Sequence, residues 1–319
     1  MKRGIILLLL SSLYLLGETI GLLSGSVDGT YIKIARDIKE VSKQEMNIKV
    51  QTGGSLGNIN KLLTDRHSQF AIVQYDALLY KRDIQGNSNL GDKIKMIFPL
   101  YNEEIHIIVR RDSHIYSVKD LNGKRVNTDK RMSGSWVTAQ MVKNIHGLDW
   151  REYHFLPNKA LVKLTENKLD AFIYVVGKPA PILSKLPISS KNVIKLISPE
   201  IDEYYVSTKF EKGIYPWVDK EVKTNATKAL LITYNYNRDS KNRRFQYYIN
   251  NIRKLSGIIN DNLSYLRAAK HPKWKEIDPK DYDKVKWPLH KVAKDAIFST
   301  RNKITEAESK MLKALRNNR

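Results

Sequence analysis

The sequence contains no cysteine among its 319 residues. This absence excludes disulfide bonds, thiolate zinc sites, iron–sulfur clusters and cysteine nucleophiles. It does not assign a compartment, because a chain of this length can build a sufficient core without disulfides in either the cytosol or the periplasm. Long apolar runs are also missing beyond the extreme N-terminus, which excludes a polytopic membrane protein.

Acidic residues are scarce relative to basic ones, with 33 Asp/Glu against 55 Lys/Arg and a formal net charge of +22. Part of the excess is local, since residues 238–319 contain 21 Lys/Arg against 9 Asp/Glu. Such a charge could bind nucleic acid or an anionic membrane. Alternatively, it reflects a Lys- and Asn-rich composition spread over solvated helix faces. No RGG, zinc-finger or RNP-type pattern accompanies the charge, so we expect no nucleic-acid partner.

The first 17 residues have the order of a secretory signal peptide. Lys2 and Arg3 form a positive region, residues 5–16 supply an interrupted apolar region, and Gly17 is a small residue for cleavage. The apolar stretch is too short to span a hydrocarbon core of ~30 Å. We expect residues 1–17 to be cleaved and the mature protein to be periplasmic, with an uncleaved anchor as the alternative.

Strand-like and helix-like patterns alternate along the remaining chain. A short apolar run at 19–24 precedes apolar residues at helical spacing over 31–41, and alternating residues follow at 48–50. Strands that alternate with helices predict βαβ units and a parallel sheet covered on both faces. The same pattern restarts after Val109, which predicts a second α/β lobe.

The predicted lobes are interleaved in sequence. We assign residues 18–109 and 208–319 to lobe 1, including a basic helical C-terminal segment, and residues 110–207 to lobe 2, with crossovers near 108–112 and 205–210. Two α/β lobes, a double crossover and an export signal indicate a periplasmic binding protein with a cleft between its lobes. Ligands of open α/β sheets bind outside the carboxyl ends of the strands, which face that cleft.

Four loops at predicted strand ends combine small residues, free backbone N–H groups and hydroxyls or amides. All four open onto predicted helices, where orphan N–H groups and the helix dipole favour an anion. Simple capping and turn chemistry is the alternative for any one loop. None matches a GxGxxG or Walker A pattern, so no nucleotide cofactor is expected. The loops are Gly25–Tyr31, Thr52–Asn58, Gln74–Ala77 and Ser133–Thr138.

An ordered series of short motifs resembles the TAXI family of TRAP-transporter solute receptors. The resemblance covers residues 19–235, with a weaker extension through 271–276. Its motifs are Gly-Ser-x-x-Gly-Thr-Tyr at 25–31, Gly-Ser-Leu-Gly-Asn at 54–58, Ala-Ile-Val-Gln-x-Asp at 71–76, Leu-Tyr-Asn-Glu-Glu-Ile-His at 100–106, Val-Lys-Asp-Leu-x-Gly-Lys-Arg-Val at 118–126, Ser-Gly-Ser-x-x-Thr-Ala at 133–139, Lys-Leu-Asp-Ala-Phe at 168–172, Gly-x-Pro at 177–179 and Gly-Ile-Tyr-Pro at 213–216.

The resemblance implies a type II periplasmic-binding-protein fold, with two α/β lobes and a C-terminal helical segment, that closes on a small carboxylate, typically glutamate-like or a dicarboxylate. It also implies delivery of that ligand to TRAP-type membrane subunits. Carried over position by position, it implies the ligand residues Gly29, Thr30, Tyr31, Ser55, Gln74, Ser133, Gly134, Ser135 and Gly177.

Several acidic residues have two interpretations. Asp28, Asp76, Glu103 and Glu104 could bind the ammonium group of an amino acid, or Asp28 could form an Asx-type turn and Asp76 could cap its helix. Glu104 and His106 share a strand face, but a pair without a third ligand does not indicate a metal site. We therefore expect no metal.

Two arginines are candidate anion ligands. Arg110 and Arg131 could form a bidentate clamp on a carboxylate, or they could be solvated surface charges. The residues leave both interpretations open.

The function that these observations favour is a monomeric binding receptor for a small organic anion or amino acid. We expect no catalytic residues and no cofactor. A periplasmic sensor that signals to a membrane kinase is an alternative that binds the same ligand. Enzymes that make the thiamine pyrimidine resemble this fold but depend on a cysteine-rich motif, and hydrolase motifs are absent.

Overall fold

The computed structural model of the protein describes residues 18–65, 67–201 and 204–298. The predicted signal peptide at residues 1–17 lies outside the described residues. Within those ranges, no helix combines the length and apolarity that crossing a membrane requires.

Strands and helices alternate, as the sequence pattern predicts. The strands are β1 (Ile20–Leu23), β2 (Ile48–Gln51), β3 (Ser68–Gln74), β4 (Ile94–Arg110), β5 (Arg125–Asn127), β6 (Arg151–Tyr153), β7 (Ala171–Val176), β8 (Ile194–Ile197), β9 (Val206–Phe210) and β10 (Val222–Tyr234). The α-helices are α1 (Thr30–Ser42), α2 (Ser55–Thr64), α3 (Tyr75–Leu79), α4 (Leu90–Lys93), α5 (Gly134–Ile145), α6 (Pro157–Thr165), α7 (Pro181–Ser184), α8 (Arg243–Asp261) and α9 (Leu263–Ala269). A π-helical turn, Tyr80–Ile84, continues α3, and 3-10 turns lie at Val118–Leu121, Ile188–Asn192, Pro272–Glu276 and Pro279–Lys284.

The described strands form one continuous sheet in the order β2-β1-β3-β10-β4-β7-β5-β6, with β8 paired to β4 and β9 to β10. The strands β1, β2 and β3 are parallel at one end, and β5, β6 and β7 are parallel at the other. The long strands β4 and β10 lie between these groups and pair antiparallel with their neighbours. Each parallel group and its helices form one lobe.

The connection between the lobes differs from the expected crossovers near 108–112 and 205–210. Sequence patterning predicts separate strands at 94–100 and 105–109, yet β4 runs unbroken through both. Glu104 pairs with Ala226 of β10 on one side and with Val176 of β7 on the other. The polar residues of β4 thus keep their ladder hydrogen bonds where the strand passes from one lobe to the other, and a polar side chain does not end a strand whose backbone is paired.

Residues after Ser207 also pack differently from the predicted division of the chain. Strand β9 pairs with Val222–Ala226 of β10. Phe210, Tyr215 and Trp217 are buried in the cluster that contains Phe172 of β7. Aromatic burial therefore holds this stretch against lobe 2, whereas the sequence assigns residues 208–319 to lobe 1.

The C-terminal helical segment covers lobe 1. Helix α8 buries Ile249, Ile252 and Leu255 in the same cluster as Ile34 of α1. Further on, Trp274 donates from Nε1 to Asp37 of α1 at 2.8 Å. The chain thus returns to lobe 1 and lies against the helix that opens at the cleft.

Candidate functional site

A cavity of about 540 Å³ lies between the lobes, at the carboxyl ends of β1, β3, β5 and β7. The N-termini of α1 and α2 reach it from lobe 1, and the N-terminus of α5 reaches it from lobe 2. The lining includes eight of the predicted ligand residues: Gly29, Thr30, Tyr31, Ser55, Gln74, Ser133, Gly134 and Ser135.

Gly177, the remaining predicted residue, lies behind this lining. It follows Val176, which does line the cavity. A β-carbon at Gly177 would lie 2.7 Å from Cε of Lys273 and 3.3 Å from Oγ1 of Thr30. Glycine therefore permits the close passage of the buried Lys273 stem, and the structure gives it no lining position.

The loops of the two lobes touch across the cavity. The backbone N–H of Leu56 donates to the carbonyl of Met132 at 3.3 Å. A β-carbon at Gly54 would lie 3.3 Å from that carbonyl oxygen and from Cα of Ser133. A side chain at residue 54 would therefore meet backbone of the opposite lobe.

The two serines at the start of α5 already have local partners. Ser133 is the N-cap, and its Oγ accepts from the N–H of Trp136 at 3.2 Å. Oγ of Ser135 accepts from the N–H of Val175 at 2.9 Å. A hydroxyl that accepts in this way keeps its proton to donate. Ser135 can therefore donate to an anion in the cavity while fixing its own loop, whereas the Ser133 hydroxyl donates to the Asp129 carboxylate.

A chain of polar contacts crosses the lobe 1 side of the cavity. Oη of Tyr31 lies 3.5 Å from Oγ of Ser55. That Oγ donates to Oε1 of Gln74 at 3.4 Å and accepts from the Gln74 backbone N–H at 3.2 Å. The Nε2 atom of Gln74 is buried with no hydrogen-bond partner among the described residues. The amide of Gln74 is thus an unused donor in the lining.

Two carboxyl groups also line the cavity. Glu103, on β4, is only 5% exposed and accepts a hydrogen bond from Tyr31. Its burial raises its pKa to about 8, with further contributions from Asp76 and Glu104. Asp129 follows β5 with a φ of 65°, and burial raises its pKa as well. The Oδ1 atom of Asp129 is buried without a hydrogen-bond partner.

Neither carboxyl is among the implied ligand residues. Glu103 lies in the Leu-Tyr-Asn-Glu-Glu-Ile-His stretch and is one of the acidic residues that could bind an ammonium group. The side of β4 that it occupies depends on pairing with β10 and β7. For Asp129, the signal available in the sequence was its position just before the Ser133 loop.

The basic residues of the Ser133 loop lie at the cavity. Lys130 and Arg131 are both among its lining residues. Nε of Arg131 donates to Nε2 of His154 at 3.2 Å, which orients the guanidinium. Arg110, the other arginine considered for a clamp, is not a lining residue and forms an ion pair with Asp112. The lining thus contains cations as well as acids.

Asp76 connects the lobes beside the cavity instead of lining it. Its Oδ2 accepts from Oγ1 of Thr138 on α5 at 2.6 Å and from Oη of Tyr205 at 2.9 Å. Burial raises its pKa to about 6. Asp28 is exposed on the first loop. The structure therefore favours the structural interpretation for Asp76.

Glu104 and His106 have separate partners. Nζ of Lys273 donates to both carboxylate oxygens of Glu104, at 2.8 and 3.0 Å. Nε2 of His106 lies 2.7 Å from Oη of Tyr215, and burial lowers the His106 pKa to about 3. Across the described ranges there is no group of three or more His, Cys, Asp or Glu residues placed to hold a metal ion.

Comparison with known proteins gives a family and a fold. Residues 22–295 match the family model described as the NMT1-like family. A protein described as a periplasmic transporter superposes with a TM-score of 0.50 at 9% identity, covering 91% of this chain and 98% of that one. The predicted fold class, a two-lobed type II periplasmic-binding-protein fold, is confirmed.

Other solved structures match over similar lengths. The periplasmic sulfonate-binding protein SsuA of Methylobacillus flagellatus has a TM-score of 0.45 at 11% identity, covering 86% of this chain and 74% of that one. An ancestral arginine-binding protein bound to arginine has a TM-score of 0.46 at 13% identity, covering 84% of this chain and 97% of that one. At such identities these likenesses concern the fold alone.

Proposed function

From the premise that the chain belongs to the NMT1-like family, we propose that it is a solute-binding receptor for a small carboxylate. It holds the ligand between its lobes and delivers it to a membrane transporter. The observation that carries the proposal is the cavity into which three helices, α1, α2 and α5, direct their N-termini from both lobes. Free N–H groups and the positive ends of these helices favour a carboxylate there.

The contacts between the lobes support a mechanism in which binding and closure are coupled. Leu56 and Met132 meet only when the Ser55 and Ser133 loops approach each other. A ligand held by donors from both loops binds the closed arrangement better than an open one, and this difference in affinity shifts the population toward closure. Release to a transporter then requires the loops to separate.

The motif series that resembles the TAXI family favours TRAP-type membrane subunits as the partner. The charged–apolar–small order of residues 1–17 favours export to the periplasm after cleavage near Gly17. N-terminal sequencing of protein from a periplasmic extract tests this step, and recovery of intact Met1 in the cytoplasm would contradict it.

A thermal-shift screen tests the binding function. We expect mono- and dicarboxylates or amino acids, but not neutral sugars or metal cations, to stabilise the protein. A ligand at ~100 times its Kd adds about 2.7 kcal/mol to the free energy of unfolding. If only sugars or cations stabilise the protein, the carboxylate assignment is wrong.

Tyr31→Phe tests whether this cavity is the site. The phenol contacts Ser55 and Glu103, so its loss should weaken binding by about 0.5–1.5 kcal/mol. Tyr116→Phe is the matched control, because Tyr116 is 71% exposed and absent from the cavity lining. Calorimetry with the ligand from the screen should give wild-type affinity for the control alone. Equal affinities for both variants would place the ligand elsewhere.

A further inference from the structure

A second hollow, of about 170 Å³, lies on lobe 2. Its walls come from β8, from the chain at 217–222 and from the loop that follows β4. Val109, near the end of β4, pairs with Ala171 at the start of β7, whereas Val176 at the other end of β7 lines the cavity between the lobes. The two ends of β7 are about 16 Å apart, so this distal hollow lies toward the opposite end of lobe 2.

The floor of the distal hollow is apolar. Trp217, which is 1% exposed, forms it together with the buried side chains of Leu196, Ile197 and Val218. The indole Nε1 donates to the carbonyl of Leu183 at 3.0 Å, so the polar atom of this ring is satisfied within the protein. An apolar protein cavity of about 150 Å³ binds benzene. The distal hollow therefore has room for one ring or one branched aliphatic group.

Three cations surround this apolar floor. Arg111, Lys195 and Lys220 line the hollow, and Asp219 is an acid in the same lining. Burial lowers the pKa of Lys195, and the charges of Arg111 and Lys220 lower it further. Like charges that are held close together repel each other, and an anion placed between them relieves that repulsion.

The acids near these cations have partners of their own. Asp112 forms an ion pair with Arg110. Asp120 accepts from two backbone N–H groups of its own turn, at 2.9 and 2.8 Å. Glu221, which is exposed, pairs with Lys209 at 2.7 Å. In the part of the chain that the structure describes, no carboxylate forms an ion pair with any of the three cations at the hollow.

Tyr116 holds the ammonium group of Lys195 at the rim. Nζ of Lys195 lies 4.2 Å from the centroid of the Tyr116 ring, which is 71% exposed. The same Nζ donates to the carbonyl of Ser113 at 3.4 Å. An ammonium group has three N–H donors, so Lys195 keeps donors for a ligand.

We propose that the distal hollow is a second binding site, which takes a compact organic anion with an aromatic or branched apolar body. The apolar body lies over Trp217, and the anionic group lies among Arg111, Lys195 and Lys220. This inference goes beyond the proposed function, because it concerns a separate site with its own ligand class. All the walls of the hollow belong to lobe 2, so binding there does not require the lobes to close.

Fluorine NMR of protein labelled with 5-fluorotryptophan tests the proposal, because Trp217 is one of only five tryptophans. Benzoate is the probe, benzyl alcohol supplies the ring without the charge, and acetate supplies the charge without the ring. We expect benzoate to shift the Trp217 resonance in a saturable way, at lower concentrations than either control compound. Added salt should weaken the response to benzoate and leave that to benzyl alcohol unchanged.

The Trp217 resonance is identified by its loss in Trp217→Phe. If this variant does not fold, Val218→Ala, next to the indole in the chain, identifies the resonance by its shift.

Removing two cations of the rim tests the position of the anionic group. The double substitution Arg111→Gln/Lys220→Gln changes two exposed side chains. We expect it to raise the Kd of benzoate measured at Trp217 about three- to thirty-fold, as for two partly exposed ion pairs. The double substitution Lys212→Gln/Lys223→Gln is the matched control, because it removes the same charge from exposed lysines outside the lining. Its Kd should equal that of the wild type.

Three results would each overturn the proposal. In the first, benzoate leaves the Trp217 resonance in place. In the second, benzyl alcohol shifts that resonance as strongly as benzoate does. In the third, the Arg111→Gln/Lys220→Gln variant binds benzoate like the wild type.

The proposed function has a separate measurement, the calorimetry of Tyr31→Phe at the cavity between the lobes. Tyr31→Phe should leave the response of Trp217 to benzoate unchanged. If it abolishes that response, benzoate acts from the cavity between the lobes and the distal site is wrong. If carboxylates fail to bind that cavity while Trp217 still responds to benzoate, the proposed function fails and the distal site stands.

Discussion

Ser135 shows how one side chain serves the fold and the cavity together. Its hydroxyl accepts from the buried N–H of Val175. Ser135→Ala leaves that N–H without a partner, which should lower the free energy of unfolding by about 1–3 kcal/mol. Urea denaturation measures this loss.

Ser190→Ala is the control for this substitution, because Ser190 lies in the Ile188–Asn192 turn away from the cavity. We expect its denaturation midpoint to match that of the wild type. An unchanged midpoint for Ser135→Ala would mean that water or backbone movement replaces the lost acceptor.

Eight of the nine implied ligand residues line the cavity, and their role in ligand binding stays a prediction. Gly29, Ser55 and Ser133 sit at helix starts, which small and hydroxyl residues reveal in the sequence. Gly177 was assigned to the lining although it accommodates Lys273, a residue nearly a hundred positions later in the chain. A motif cannot show which distant side chain will lie against a glycine.

At the scale of elements, the approach of two loops controls access to the closed cavity. Gly54→Val places a branched side chain against Met132 and Ser133 of the other lobe. Overpacking of this kind costs about 1–3 kcal/mol, so ligand affinity should fall about tenfold. Calorimetry measures the affinity, and small-angle X-ray scattering should show a larger radius of gyration with ligand.

Gly257→Val is the matched control for the loop contact. A β-carbon at Gly257, within α8, meets no atom within 4 Å. We expect this variant to bind and close like the wild type. If the Gly54→Val variant closes at the same ligand concentration as the wild type, the two loops adjust to the added side chain and the prediction is wrong.

The buried ion pair between Lys273 and Glu104 joins the C-terminal segment to β4, at the position where this strand passes from one lobe to the other. Both side chains are nearly inaccessible, at 2% and 3% exposure. Lys273→Met leaves a buried carboxylate without its cation, which should destabilise the protein by about 3–5 kcal/mol. Adding Glu104→Gln should recover part of this loss in a double-mutant cycle measured by urea denaturation.

Lys270→Met is the comparison for that pair. Lys270 contacts Glu40 at a more exposed position, so its loss should move the midpoint far less. If the two substitutions lower the free energy of unfolding equally, the buried pair of Lys273 has no greater effect on stability than the more exposed pair of Lys270.

The path of β4 explains what element-level prediction missed. The apolar runs at 94–100 and 105–109 were both correctly recognised as extended. The polar residues between them, Asn102 to Glu104, indicated a break that the structure does not have. Hydrogen bonds to β10 and β7 satisfy that backbone, and such partners are remote in sequence.

For the whole molecule, buried titratable groups determine how stability changes with pH. Between pH 6.5 and 8, the free protein keeps Glu103 protonated, whereas the unfolded chain has it ionised. Unfolding therefore releases a proton, and stability falls as pH rises, by at most about 1.4 kcal/mol per pH unit. Asp76, with a pKa of about 6, titrates mainly below this window. His106, with a pKa of about 3, and His290, with a pKa of about 4, oppose the fall in stability at the lower edge of the window, because histidine in the unfolded chain binds a proton near pH 6.5.

Urea denaturation of ligand-free protein at pH 6.5, 7.25 and 8 checks this dependence. Glu103→Gln should flatten the slope, because glutamine does not titrate. Glu221→Gln should retain the wild-type slope. A slope that survives Glu103→Gln would assign the titration to another group.

The two-lobed α/β class was predictable because periodicity and loop chemistry repeat along the chain. The division of the chain between the two lobes was less predictable. Residues 208–222 carry aromatic side chains whose burial against Phe172 depends on where β9 and β10 turn. Local patterns describe which residues become buried, but not against which lobe.

The two long strands also impose an order on folding. Leu231 of β10 pairs with Ile72 of β3, and Ala226 pairs with Glu104 of β4. A chain that has emerged only as far as β9 lacks the strand that joins β3 to β4, so its sheet stays in two pieces. Closing such long loops is slow because their entropy must be lost before any native pairing compensates. The sheet of a nascent chain therefore stays in two pieces until β10, the last strand among the described residues, has been synthesised.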